Sequence, residues 1–295
     1  MKKLIAILLT LVLALSCFAA CAPSEAPLTG DVADTAGDTA GDTAGAPADD
    51  TTGEASDESD AADGDLAYVQ GNGKIVVGIT EYEPMDYKDA NGEWTGFDAE
   101  LARLFAKELG VECEFFVLAD WGKKFIELET KSIDAVWNGM TITDEAKANS
   151  SVSDPYVVNA QVVVMKADKV AQYADAESMK KLTVAVEEGS AGQSVADEAG
   201  LTTISKQDQA GALMEVAAGT ADACVIDITM AKAMTGEGTD YADLAVGISL
   251  SSEEYGVSFR KDSNLTEKLN AFLEALKADG TLQQLADKYQ LTLAE

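Results

Sequence analysis

The chain has 295 residues, 47% hydrophobic and 25% charged, enough soluble-type sequence for one large domain or two smaller ones. Its 21 Lys+Arg against 52 Asp+Glu give a formal charge of −31, which repels phosphate backbones and anionic headgroups and argues against nucleic acid as a partner. Histidine is absent, which excludes Ser-His-Asp and Cys-His catalysis, His-ligated zinc and imidazole acid–base chemistry.

Met1-Lys2-Lys3 is a basic start, and Leu4 to Ala20 is an apolar run broken only by Thr10 and Ser16. The run is short for a membrane span and has the flanks of a signal peptide, which assigns residues 1–20 to export. Small residues Ala19-Ala20 precede Cys21, a pattern that resembles a bacterial lipoprotein signal with Cys21 as the lipidated first residue of the processed chain. Cys17, after Leu15-Ser16, is the competing site. Residues 21–68 read as an acidic disordered linker. Asp-Thr-Ala-Gly occurs in tandem from Asp34, Asp38 and Asp42, and large apolar side chains are too few to offset the entropy of ordering.

The remaining sequence alternates strand and helix patterns. Lys74–Thr80 is Val/Ile-rich; Phe97–Leu109 has Leu101, Leu104 and Phe105 on one helical face and Gly110 as its stop. Glu112–Leu118 reads as a strand, Lys123–Thr130 as a short helix and Ile133–Trp137 as a strand, so the segment opens βαβαβ around a parallel sheet. The pattern then restarts. Gln161–Met165 and Leu182–Val186 are strands, the turn Gly189-Ser190-Ala191-Gly192 opens a helix to Ala199, and Asp208–Ala218 is a helix. Ala223–Ile226 is a strand, Thr229–Met234 a short helix, Tyr255–Phe259 a strand, and helices follow over Asn264–Asp279 and Leu282–Tyr289. Cys113 and Cys224 lack C-x-x-C spacing and read as small buried hydrophobes. Two α/β units of similar size suggest two lobes, with a ligand at the carboxyl ends of their strands.

Four sequence blocks carry a resemblance. They are Pro84-Met85-Asp86-Tyr87 through Gly92-Glu93-Trp94-Thr95-Gly96-Phe97-Asp98; Ile133 to Thr143, closed by Ser153-Asp154-Pro155-Tyr156; Gly219 to Ala223 with Val225-Ile226-Asp227; and Tyr255-Gly256-Val257 followed by Leu276 to Leu282. In this order and spacing the chain resembles the extracytoplasmic solute-binding proteins of polar amino-acid ABC transporters, family 3. The resemblance implies an α/β, two-lobed, type II periplasmic-binding-protein-like fold. Each lobe is a central mixed sheet flanked by helices, and two crossover hinge strands join them. Lobe 1 takes residues 69–158 and 254–295, and lobe 2 residues 159–253. It implies a small-molecule ligand, closure about the hinge, a membrane permease as partner, a monomer, and neither cofactor nor metal.

The same resemblance nominates the ligand-binding residues. Tyr82 and Trp121 are placed to clasp the ligand between two rings. Gly139, Met140 and Thr141 form a turn that holds its α-amino and α-carboxylate groups. Ser190, Ala191 and Gly192 open a helix whose free N–H groups suit an anion. Asp227 closes a strand and takes the α-ammonium; an acid buried there otherwise needs a partner. Trp94 reads as structural, Trp137 is open between the two roles, and Glu81, Asp120, Glu187 and Glu188 lie near these loops. After Thr143-Asp144-Glu145 the family usually carries an arginine that grips the carboxylate, and this chain has Ala146. An acidic pocket without that arginine suits a cationic ligand such as a basic amino acid, an amine or a polyamine. The alternatives are a dehydratase on the same fold, with Glu187 or Glu188 as the acid, or a ligand-sensing receptor.

Overall fold

The computed structural model describes residues 64–295, so the signal segment, Cys17, Cys21 and the linker as far as residue 63 lie outside the described residues. Two five-stranded mixed sheets organise the rest. In the first the order is Glu112–Val117, Lys74–Ile79, Ala135–Val136, Ser258–Phe259, Ser151–Val152. Lys74–Ile79 runs parallel to both neighbours, and Ser258–Phe259 enters antiparallel. In the second the order is Thr202–Lys206, Thr183–Glu187, Ala223–Asp227, Gln161–Lys166, Leu244–Ser249, again three parallel strands followed by two strands that each pair antiparallel with the preceding one.

Local sequence explains the parallel core. Phe97–Leu109 returns the chain from one parallel strand to the next. It buries Phe97, Leu101, Phe105 and Leu109, and Gly110 ends it at φ 75°, the left-handed cap that glycine supplies without a Cβ clash. Between the sheets the chain crosses twice, through Val157–Asn159 and Glu253–Tyr255, which pair antiparallel with Glu253 opposite Asn159. One buried apolar cluster runs from Ile75, Phe105 and Trp137 through Tyr156 and Tyr255 to Val164 and Leu213. The crossovers are therefore part of the core rather than loose tethers. Cys113 and Cys224 are unpaired; burial pushes the Cys113 thiol up to about 12 and raises that of Cys224 as well, so neither is a reactive thiolate.

Several expectations change. Helix Asp65–Asn72 begins inside the stretch assigned to the linker: Val69 is fully buried, and Asp65 pairs with Arg260 at 2.8 Å, so the acidic run ends in structure four residues early. Tyr255–Phe259 is two strands, because Glu253–Tyr255 belongs to the crossover and Ser258–Phe259 to the first sheet. The strand Ala135–Val136 is shorter than the expected Ile133–Trp137, although Asp134 N still donates to Val76 O (2.7 Å) and Trp137 N to Gly78 O (3.2 Å). Thr202–Lys206 and Leu244–Ser249 are edge strands that the sequence reading passed over.

Candidate functional site

A cavity of about 360 Å³ lies at the carboxyl ends of the parallel strands, where the two lobes face each other. Lobe 1 contributes Tyr82, Trp121, Lys124 and the turn Asn138 to Thr141; lobe 2 contributes Gln161, Glu187, Ser190, Gln209 and Asp227; the crossover contributes Glu253.

Asp227 is its best-organised group. It is the last residue of Ala223–Asp227 and is 3% exposed. Its Oδ1 accepts from Gln161 Nε2 at 2.6 Å and from Asn159 Nδ2, and its Oδ2 accepts from Gln209 Nε2. Gln209 also accepts from the Asp227 backbone N–H at 2.8 Å, so one amide fixes both ends of the residue. Glu253 Oε1 shares two of these donors, Asn159 Nδ2 at 2.6 Å and Gln161 Nε2 at 2.7 Å, and also accepts from Thr141 Oγ1 at 2.8 Å. Two carboxylates bridged by the same amides repel. Burial, then the Glu253 charge, pushes Asp227 up to about 7 despite its amide donors. Such a pair is completed by a positive charge or a proton.

Glu187, at the end of Thr183–Glu187, is 3% exposed. Burial, with Asp227 and Asp208 nearby, pushes its carboxyl up to about 8. The lining also includes Asp144, Glu145 and Glu198, while Lys124 is its one cation. Lys124 is 6% exposed; its ammonium donates to Trp121 O and, across the cleft, to Gly189 O, both at 3.3 Å. It also lies 4.9 Å from the ring centres of Trp121 and Phe125, and burial lowers its pKa.

The rings and turns that frame these charges are closely fitted. The Tyr82 hydroxyl bonds Thr229 of lobe 2 and the Tyr255 hydroxyl (2.5 Å), leaving the ring edge toward Gly139. Gly139 has φ 55°, and a Cβ on it would lie 2.6 Å from Tyr82 Cε1; its N–H donates to Asp98 Oδ2 at 2.6 Å. Gly189 (φ 71°) lies against Gly122 so closely that a Cβ would meet Gly122 Cα at 2.6 Å. Ser190 caps helix Ala191–Glu198, accepting from Gln193 N–H at 3.1 Å, and Gln193 Oε1 accepts from Gly189 N–H at 2.8 Å, a close relative of the capping box.

Of the nominated residues, Tyr82, Trp121, Gly139, Met140, Thr141, Ser190, Ala191 and Asp227 line one cavity. Gly192 is outside the lining; it packs on Gln161, whose Oε1 would lie 2.8 Å from a Cβ there. Ala146 is buried on the cavity wall, its N–H donating to the capping hydroxyl of Thr143 at 3.0 Å. Among the four acids noted beside the loops, Glu187 alone reaches the lining; Asp120 caps the Trp121 turn and pairs with Lys123 at 2.8 Å. Trp137 is a core residue against Phe105, and Trp94 packs near Phe115 and Lys88. Sequence reasoning missed Lys124, Gln161, Gln209 and Glu253. Gln161 carried a usable signal, since it starts the strand antiparallel to Ala223–Asp227 and its register partner is Asp227 itself.

Known proteins resemble the chain as a whole. The sequence model of bacterial extracellular solute-binding proteins, family 3, matches residues 75–292. An arginine-binding extracellular protein of Bacillus subtilis, ArtP, is 30% identical over 226 residues, 74% of this chain and 87% of the relative. A crystal structure of a mutant of ArgBP from T. maritima superposes with a TM-score of 0.71 at 33% identity, over 76% of this chain and 98% of that one. An ancestral amino acid-binding protein, a precursor of cyclohexadienyl dehydratase, gives a TM-score of 0.70 at 33% identity, over 76% of this chain and 99% of that one. The chain belongs to family 3 of the bacterial extracellular solute-binding proteins, and its working place is outside the cytoplasm.

Proposed function

We propose that this family 3 protein captures a small amine-bearing solute, an amino acid first of all, between its lobes and hands it to the membrane permease of an ABC importer. The observation that carries this reading is the Asp227–Glu253 pair: two carboxylates bridged by common amide donors, one of them buried, both facing a cavity. The solute's ammonium completes that pair, with Thr141 beside it. Lys124 is the cation within reach of a carboxylate, a role that Ala146 cannot fill. Tyr82 and Trp121 cover the solute's apolar part. Arginine binding by the relatives supports an amino acid as the cargo.

The work is closure, and no bond is made or broken. Residues 69–158 with 254–295 move against 159–253 about the paired crossovers; contacts across the cleft at Lys124–Gly189 and Tyr82–Thr229 stabilise the closed form. Lipidation at Cys21 and the acidic linker tether the protein to the membrane surface as a monomer. A hydro-lyase reading has one observation in its favour, the buried acid Glu187; it requires turnover, whereas capture does not. The test is a thermal melt of the full chain against the common amino acids and simple amines. A ligand that binds the folded state alone raises the midpoint, by an amount that grows with its concentration. Capture predicts a concentration-dependent rise with unchanged solute recovered afterwards; no shift with any of them, or a converted product, contradicts it.

A further inference from the structure

Glu187 is a buried acid that the fold does not use. The two other acids at the centre of the cavity are heavily bonded: Asp227 by three amide side chains, Glu253 by Thr141, Asn159 and Gln161. Glu187 Oε1 has no hydrogen-bond partner among the described residues, though the side chain is 3% exposed and lines the cavity. The three residues before it, Val184, Ala185 and Val186, are buried and apolar, so an apolar side chain would continue the strand at lower desolvation cost. Lys124 and Gln209 relieve it only in part, lowering its pKa without overcoming burial. The Lys124 ammonium is given to the carbonyls of Trp121 and Gly189, and no ion pair joins it to Glu187 among the described residues. An unpaired carboxylate at a cavity wall, in a lining where acids outnumber the single lysine, points to a positive charge supplied from outside.

We propose that Glu187 receives a second cationic group of the solute, so that the cargo is an α-amino acid with a positively charged side chain. The α-ammonium goes to Asp227 and Glu253, the carboxylate to Lys124, and the side-chain ammonium or guanidinium to Glu187. This rests on the solute-capture reading above and adds the specificity determinant. The groups that face Glu187 are Asp227, Asp208 and Gln209 of its own lobe and Lys124 from the other. With the acids among them adding to burial, its carboxyl is held up near 8, so at neutral pH the empty site keeps a proton that a bound cation displaces.

The test compares the full-length wild type with Glu187→Gln by titration calorimetry at pH 7, using L-arginine, L-lysine and L-glutamine as probes. The substitution keeps shape and removes charge. The wild type is expected to bind arginine or lysine at least tenfold tighter than glutamine, and Glu187→Gln to lose at least tenfold of that preference while its glutamine affinity moves less than threefold. If the variant does not fold, the wild type is titrated in two buffers of different ionisation enthalpy. Binding of arginine or lysine then releases more protons than binding of glutamine. Equal affinity for the three probes, an unchanged preference in Glu187→Gln, or equal proton release overturns this inference and leaves solute capture standing. No heat from these probes or from any other common amino acid overturns both.

Discussion

Replacing Gly139 with alanine tests the packing that shapes the cleft. Gly139 lies at φ 55°, where glycine is favoured, and a Cβ there would stand 2.6 Å from Tyr82 Cε1, 3.2 Å from Tyr255 Cε2 and 3.3 Å from Met85 Cγ. Two costs add. The left-handed backbone costs alanine about 1 kcal/mol relative to glycine. Forcing a methyl group between two rings that are each 2% exposed or less costs a further ~1–3 kcal/mol of overpacking. The sum is about 2–4 kcal/mol. Gly219→Ala is the control, because Gly219 has φ 76° with nothing within 4 Å of its would-be Cβ and carries only the backbone cost. Urea unfolding of the full chain at one pH measures both. Gly139→Ala should exceed Gly219→Ala by about 1–3 kcal/mol and, by moving Tyr82, should also weaken solute binding. Equal losses in the two variants would show that the Gly139–Tyr82–Tyr255 contact does not constrain the fold.

Other consequences are equally direct. Glu187 and Asp227 are held up at about 8 and about 7 by burial, whereas an unfolded carboxylate titrates near 4, so the folded state binds the extra protons between these values. Their contribution to stability is fully present below about pH 4 and is lost as pH rises through the folded values. Urea midpoints at pH 5, 6.5 and 8 should therefore fall more steeply for wild type than for Glu187→Gln, and parallel curves would refute the assignment. Arg260 donates to Asp65 Oδ1 (2.8 Å), Asp134 Oδ1 (2.9 Å) and Ile133 O (2.8 Å). Arg260→Ala should cost about 3–5 kcal/mol by leaving Asp134 buried and unpaired, and should expose helix Asp65–Asn72 to proteolysis; a loss below 1 kcal/mol would mean that the cluster acts as a surface pair. Lys124→Met removes the cation while keeping the length of the side chain. It should weaken α-amino acids about tenfold or more and the corresponding decarboxylated amines much less, as read by calorimetry; equal losses would move the carboxylate elsewhere.

What the sequence made legible follows from how local each signal is. Helix Phe97–Leu109 is readable to the residue because its apolar period and its glycine cap both lie within it. Thr202–Lys206 is an edge strand of mostly polar residues, and it exists because Thr183–Glu187 offers it a parallel partner. The turn Gly139 to Thr141, the rings and Asp227 were readable because strand ends and family blocks mark them. Glu253 was not. It stands in a Ser-Ser-Glu-Glu run that reads as solvated loop, and its role comes from pairing with Asn159, 94 residues away. Lys124 sits beside Lys123 at the start of a short helix and reads as surface charge, yet it is buried and donates to Gly189 of the other lobe. Of the pair Glu187–Glu188, the strand ends at the first, which turns Glu187 inward and leaves Glu188 exposed. Nothing in two adjacent glutamates reveals which one the sheet encloses.

The proposed capture depends on the cleft acids holding a solute's ammonium. Calorimetric titration of wild type and Asp227→Asn, with whichever amino acid gives the largest thermal shift, tests it most directly. The wild type should show one site per chain and the variant an affinity loss of about 30-fold or more, the range for truncating one partner of a buried charge pair, with the melting midpoint of the empty protein little changed. An Asp227→Asn protein that binds the same amino acid with wild-type affinity would contradict it.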